Sequence, residues 1–226
     1  MRDIACVSTE AIRPFFKNRA KIVELEEAAF ENPFNDETRS FDEGFFADSE
    51  DNHRRFMHID LGVTRDAVGI SMCHSPYFED RERFEFGSIE MMSVNTRLPF
   101  VEFDFIGRIK ASHGEESLLS AIRELIYEVS KRGFYIALIT FDGFQSVDSI
   151  QILRSQGYKV ARLSIDRTAT KIVLDKNAND YTGLSRKSTD GQVTAAIQSL
   201  KDVLYDDRLA IPFHEYWRKE AEGAEI

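Results

Sequence analysis

The stretch Phe56-Met57-His58-Ile59-Asp60-Leu61-Gly62-Val63-Thr64-Arg65-Asp66-Ala67-Val68-Gly69-Ile70 decides how the rest of the chain is read. Arg55 to Asp60 is a strand candidate in which His58 and Asp60 alternate with Met57 and Ile59. Leu61 to Arg65, with Gly62, supplies a turn, and Asp66 to Cys73 is a second strand candidate. Two strands joined by so short a link pair as antiparallel neighbours. A third run, Gly87 to Val94, is expected to extend this meander.

Downstream the pattern changes. Glu116 to Ser130 repeats Leu118, Leu119, Ile122, Leu125, Ile126 and Val129 at helical spacing, with Gly133 as a stop. Phe134 to Phe141 follows directly, continuously apolar but far too short to span a membrane, and predicts a central buried strand. Ser146 to Gln156 predicts a short helix, Lys159 to Ile165 a further strand, Val193 to Tyr205 a last helix and Arg208 to Ile211 a short strand. Helix, strand, helix, strand implies parallel pairing with right-handed crossovers. The expected class is α/β: a mixed β-sheet, an antiparallel meander followed by parallel strands, flanked by helices.

Residues 1–53 have another texture. They are polar, turn-rich and acidic, and Asn32-Pro33-Phe34-Asn35-Asp36 and Phe45-Phe46-Ala47-Asp48-Ser49 interrupt any long periodicity. One helix is expected around Ile22 to Phe30, with the remainder an arm or linker ahead of a domain over residues 54–226.

Composition bounds the function. With 42% apolar residues and 18 phenylalanines in 226, the chain can build a real core, which excludes wholesale disorder. No run approaches a membrane span, and Met1-Arg2-Asp3-Ile4 lacks the basic region of a signal peptide, so a soluble, non-secreted protein is expected. Cys6 and Cys73 are too few for a disulfide scaffold or a thiolate zinc site, and the scattered His53, His74, His113 and His214 form no HExxH. Neither GxxxxGK[ST] nor GxGxxG occurs. Lys and Arg total 29 against 39 Asp and Glu, a net charge of -10 that argues against indiscriminate coating of DNA. Locally the balance reverses: from Lys159 to Lys187, the bases Lys159, Arg162, Arg167, Lys171, Lys176, Arg186 and Lys187 outnumber Asp166, Asp175 and Asp180. That segment reads either as a solvated loop or as a phosphate-contacting surface.

The most informative chemistry is acidic side chains at strand ends. Asp60 closes the first strand, Asp66 opens the second, and Asp142 follows the most hydrophobic one. If the strand at 134–141 lies beside that at 55–59, Asp60 and Asp142 meet at one sheet edge. Two such carboxylates repel unless a cation joins them, and hard oxygen ligands favour Mg2+ or Mn2+. Each acid also suits an Asx-turn or a solvated loop. Gln145 and Ser146 either contact a phosphate or cap the next helix, and His58 either serves the site beside Asp60 or simply packs.

The run Phe56 to Ile70 resembles the first motif of the nuclease domain of the large terminase subunit of tailed bacteriophages, and Ile139-Thr140-Phe141-Asp142-Gly143-Phe144-Gln145-Ser146 resembles its second acidic motif. Leu204-Tyr205-Asp206-Asp207-Arg208-Leu209 resembles a later structural segment, and Arg2-Asp3-Ile4-Ala5 resembles the end of the linker that leaves the packaging ATPase domain. The resemblance implies an RNase H-like fold and a metal-dependent endonuclease that hydrolyses double-stranded DNA during genome packaging. It implies that Asp60 and Asp142 bind two Mg2+ or Mn2+ ions, with Asp66 an additional acid near them. Gln145, Ser146, Lys159, Arg162, Arg167, Lys171, Arg186 and Lys187 become candidate DNA contacts. The implied partners are the terminase ATPase domain or another polypeptide, the small terminase subunit and the portal protein, in the cytoplasm of an infected or prophage-carrying bacterium and without a membrane.

Two departures qualify this expectation. The family's ATPase half has no counterpart in the sequence, and its further metal-binding aspartate, in a Lys-Asp-x-x-Asp-like motif, has none before Ile226. The domain is therefore expected to be incomplete at its C-terminus, which makes a catalytically inactive or split fragment, acting in DNA or partner binding, the alternative. A third reading, an actin-like phosphotransferase, rests on Asp60-Leu61-Gly62-Val63-Thr64, which is similar to a phosphate-cradling hairpin.

Overall fold

The computed structural model describes residues 16–61, 67–86, 91–110, 115–141, 147–165, 170–173 and 196–223. In chain order these form α1 (Arg19–Glu27), a small ribbon of β1 (Phe34–Asn35) and β2 (Ser40–Phe41), then β3 (Arg55–Asp60) and β4 (Val68–His74). A long ribbon follows, β5 (Phe78–Phe86) and β6 (Met91–Pro99), and then β7 (Val101–Ile109), α2 (Glu115–Lys131), β8 (Ile136–Phe141) and α3 (Val147–Ser155). The last described elements are β9 (Val160–Ile165), β10 (Thr170–Val173), α4 (Ala196–Tyr205), β11 (Leu209–Ala210) and α5 (Trp217–Gly223).

Seven strands make the main sheet, in the order β10-β9-β8-β3-β4-β7-β11. The meander β3-β4-β7 is antiparallel, while β8 joins β3, and β9 joins β8, in parallel. Parallel neighbours need a crossover, and α2 and α3 supply the connections into β8 and β9. The protein is an α/β mixed sheet flanked by helices, the RNase H-like arrangement.

Strand alternation sorts the side chains into two layers. On one face Met57, Ile59, Val68, Ile70, Met72, Phe105 and Ile109 are buried beneath α2, whose Ile122, Leu125, Ile126 and Val129 turn inward at helical spacing. Each such side chain, fully buried, contributes about 1.5–3 kcal/mol. Gly133, at φ +92°, ends α2, and Arg132 beside it donates to the carbonyls of Asp42 and Phe45. On the other face, a second cluster of Phe16, Ile22, Leu25, Leu204, Leu209 and Ile211 packs α1 and α4 over the β7 side of the sheet.

Three differences from the sequence reading matter. The segment before residue 54, which reads as an arm, lays Phe34, Phe41 and Phe45 around Phe105, with ring centroids 4.9–6.2 Å apart. Phe34 can approach because position 107 is glycine: a Cβ there would sit 2.5 Å from its ring carbons. The third strand of the meander is β7 and not the run at 87–94; β5 and β6 instead pair with each other over nine residue pairs as a separate two-stranded sheet. Finally, β10 and α5 form where no element is expected from the sequence.

The outer edge of β7 is closed in an unusual way. β11 pairs with it only at Val101 and Glu102. Beyond that, the Asn32 side-chain amide donates to the Ile106 carbonyl (2.6 Å) and accepts from its N–H (3.4 Å), while Asp36 Oδ1 accepts from the Arg108 N–H (2.7 Å).

Candidate functional site

β3 carries the site because its alternation sends Met57 and Ile59 into the core and leaves His58 and Asp60 on the opposite face. Asp60, the last residue of the strand, is exposed. The parallel register sets His58 opposite Thr140 and Ile59 opposite Phe141, so β3 and β8 finish at the same sheet edge. Asp142, next after Phe141, lies outside the described residues, as do Asp66, Gln145, Ser146, Arg167, Arg186 and Lys187.

His58 is oriented from the neighbouring strand. Its Nδ1 lies 2.9 Å from Thr140 Oγ1, and that hydroxyl donates to the Met57 carbonyl at 3.2 Å. A hydroxyl has one proton to give, so Nδ1 is the donor in the first bond.

His58 and Asp60 line an open cleft of about 260 Å3 with Ser71, Arg108, His214 and Trp217. Asp36 holds two of these in place: Oδ1 accepts from the Arg108 N–H, and Oδ2 lies 3.1 Å from His214 Nε2. The Arg108 guanidinium rests over the Tyr216 ring, 4.4 Å from its centroid. Sequence reasoning missed Arg108, Ser71, Trp217 and the role of His214. The signal for Arg108 was the alternation Val101-Glu102-Phe103 around Asp104 and Phe105, which marks a strand in contact with the meander.

The basic candidates that are described lie elsewhere. Lys159 lines a separate hollow with Ser130, Tyr135 and Tyr158, where β8 begins rather than where it ends. Arg162 is in register with Phe141, hence on the face opposite Asp60, and Lys171 sits on the outermost strand, paired with Ser164. Asp206 pairs with Arg208 (2.9 Å) and Asp207 with Lys21 (2.7 Å), which gives both a structural task.

At its other end β3 buries a network of charges. Arg55, 3% exposed, pairs with Asp51 and, at 3.2 Å, with Asp104, while His74 Nδ1 approaches the same Asp104 oxygen at 3.1 Å. The hydrogen bond from Arg55 holds the Asp51 carboxyl well below the usual carboxylate range. Burial, and second the Asp104 charge, pushes the Cys73 thiol up to about 12, so it stays protonated and unreactive.

Among the described residues, no three or more His, Cys, Asp or Glu side chains gather where they could hold a metal ion. No helix among them is long and apolar enough to cross a membrane.

No protein-family model matches the chain, and no curated protein matches it by sequence. Two solved structures are similar in shape. One is the large terminase nuclease from thermophilic phage G20c, with a TM-score of 0.46 and 11% identity over 93% of this chain and 81% of that one. The other is the HK97 bacteriophage large terminase, with a TM-score of 0.41 and 12% identity over 92% of this chain and 36% of that one.

Proposed function

We propose that this chain is a terminase-type RNase H-like domain that binds double-stranded DNA and partner polypeptides through the open face of its sheet and does not cleave DNA by itself. The observation that carries this reading is the lining of the cleft: Asp60 is its one carboxylate among the described residues, beside His58, Ser71, Arg108 and His214. Mg2+ and Mn2+ take several hard oxygen donors. The described residues therefore lack the several oxygen donors such an ion takes, while Arg108 and Ser71 can donate to a phosphate.

A second reading is the metal-dependent endonuclease, in which Asp66 and Asp142 join Asp60 around Mg2+ or Mn2+. It is favoured by the parallel register that ends β3 and β8 at one edge. In both readings Gln145, Ser146, Arg167, Arg186 and Lys187 stay candidate DNA contacts, whereas Lys159, Arg162 and Lys171 lie away from the cleft. Residues before 54 would lead from an ATPase domain or another polypeptide. The small terminase subunit and portal protein would be the further partners, in the cytoplasm of the host bacterium.

The test is duplex DNA binding by the purified chain, together with Mn2+-dependent conversion of supercoiled plasmid and Asp142→Ala alongside. Binding without conversion at micromolar protein is expected. Conversion that Asp142→Ala abolishes would overturn the first reading in favour of the second.

A further inference from the structure

Asp60 pairs with Gly69 on β4, and Gly69 pairs with Arg108 on β7. Residues paired in this way share a face, so an acid, a glycine and a base form one row across three strands. With strands about 4.7–4.9 Å apart, the Asp60 and Arg108 backbones are about 9–10 Å apart. Position 69 places no side chain between them, and the next row, His58, Ser71 and Ile106, forms the floor beside it.

Arg108 is prepared for an anion. Its backbone is fixed by Asp36, its guanidinium carbon lies 4.4 Å from the Tyr216 ring centroid, and no carboxylate among the described residues pairs with that guanidinium. A guanidinium carries five N–H donors in a fixed fork, and phosphate matches that fork. His214, held by the same Asp36, lines the cleft next to it.

We infer that Arg108 is a DNA-positioning residue: it takes a DNA backbone phosphate on its own side of the cleft, with the Gly69 gap leaving room for the sugar-phosphate chain. The inference rests on the DNA-binding reading above and names the contact that makes it specific. It requires no metal.

The test is binding of a fluorescent DNA duplex in EDTA across a salt series, read as the slope of log affinity against log salt. A lost phosphate contact lowers that slope by about 0.9, whatever the DNA sequence. Arg108→Gln is expected to weaken binding about tenfold at low salt and to lose about one unit of slope. Arg108→Lys should keep the slope, because the charge remains, and lose only a few-fold in affinity. Gly69→Val should weaken binding by filling the gap; a Cβ at that position meets only Asp60 Cβ, at 3.8 Å, so the strand can accept it. An unchanged slope in Arg108→Gln, with the parent chain binding normally, overturns the role of Arg108 and leaves DNA binding standing. A parent chain that fails to bind duplex at low salt overturns both.

Discussion

At its first residue β3 encloses Arg55 between Asp51, Asp104 and the Phe134 ring, whose centroid is 5.0 Å from the guanidinium carbon; at its last it leaves Asp60 exposed at the rim of a cleft. Four residues lie between a charge paired with two carboxylates and one whose described cross-strand partner is a glycine. Arg55 has its pKa raised: burial opposes the charge, and the hydrogen bond to Asp51 with the charges of Asp104 and Asp51 outweighs it. One end of the strand is committed to holding the sheet together. The other is exposed, which is what a binding surface requires.

The contrast is most easily broken at the buried end. Arg55→Ala leaves Asp51 and Asp104 without their cation and is expected to cost about 3–5 kcal/mol, read as a fall in the urea midpoint. A loss below about 1 kcal/mol would mean that water or a rearranged His74 replaces the guanidinium. Gly107→Ala comes next. It drives a methyl into the Phe34 ring and should cost about 1–3 kcal/mol unless the 34–41 ribbon moves off the sheet, which loss of protection at Phe41 in hydrogen exchange would reveal.

Acid sharpens the same comparison. The Asp51 carboxyl binds a proton less readily folded than unfolded, so its contribution is complete above the ordinary carboxylate pKa of about 4 and is withdrawn as pH falls below it. Asp51→Asn should flatten this acid limb of the urea midpoint against pH. An undiminished limb would assign acid sensitivity to other carboxylates. The smallest effect belongs to the open end: Asp60→Asn should change stability by no more than about 0.5 kcal/mol, because the exposed carboxylate has no ion pair among the described residues to lose.

The sheet was legible where pairing is local. The link from Asp60 to Val68 is too short for anything but an antiparallel neighbour, and the unbroken apolar run ending at Phe141 had to lie inside. β7 was missed because the alternation Val101-Glu102-Phe103-Asp104-Phe105 breaks at Ile106 and Gly107, and the glycine is there for a reason set elsewhere, the approach of Phe34. Phe34, Phe41 and Phe45 leave no period to read, since they fill space between aromatic rings rather than follow a strand. Asp60 was found because it ends a strand. Arg108, His214 and Asp36 belong together only through contacts that span more than seventy residues, which leave no local trace in the sequence.

An outer strand whose N–H and C=O groups face solvent is a template on which another chain can add itself. Asn32 and Asp36 meet those groups at Ile106 and Arg108 with side chains rather than with a further strand, and so block strand addition along the part of β7 that β11 leaves uncovered. The segment that enters the domain thus acts as a guard against self-assembly. Replacing Asn32 and Asp36 by alanine would show as aggregation on concentration, with Phe34, Phe41 and Phe45 still in the core.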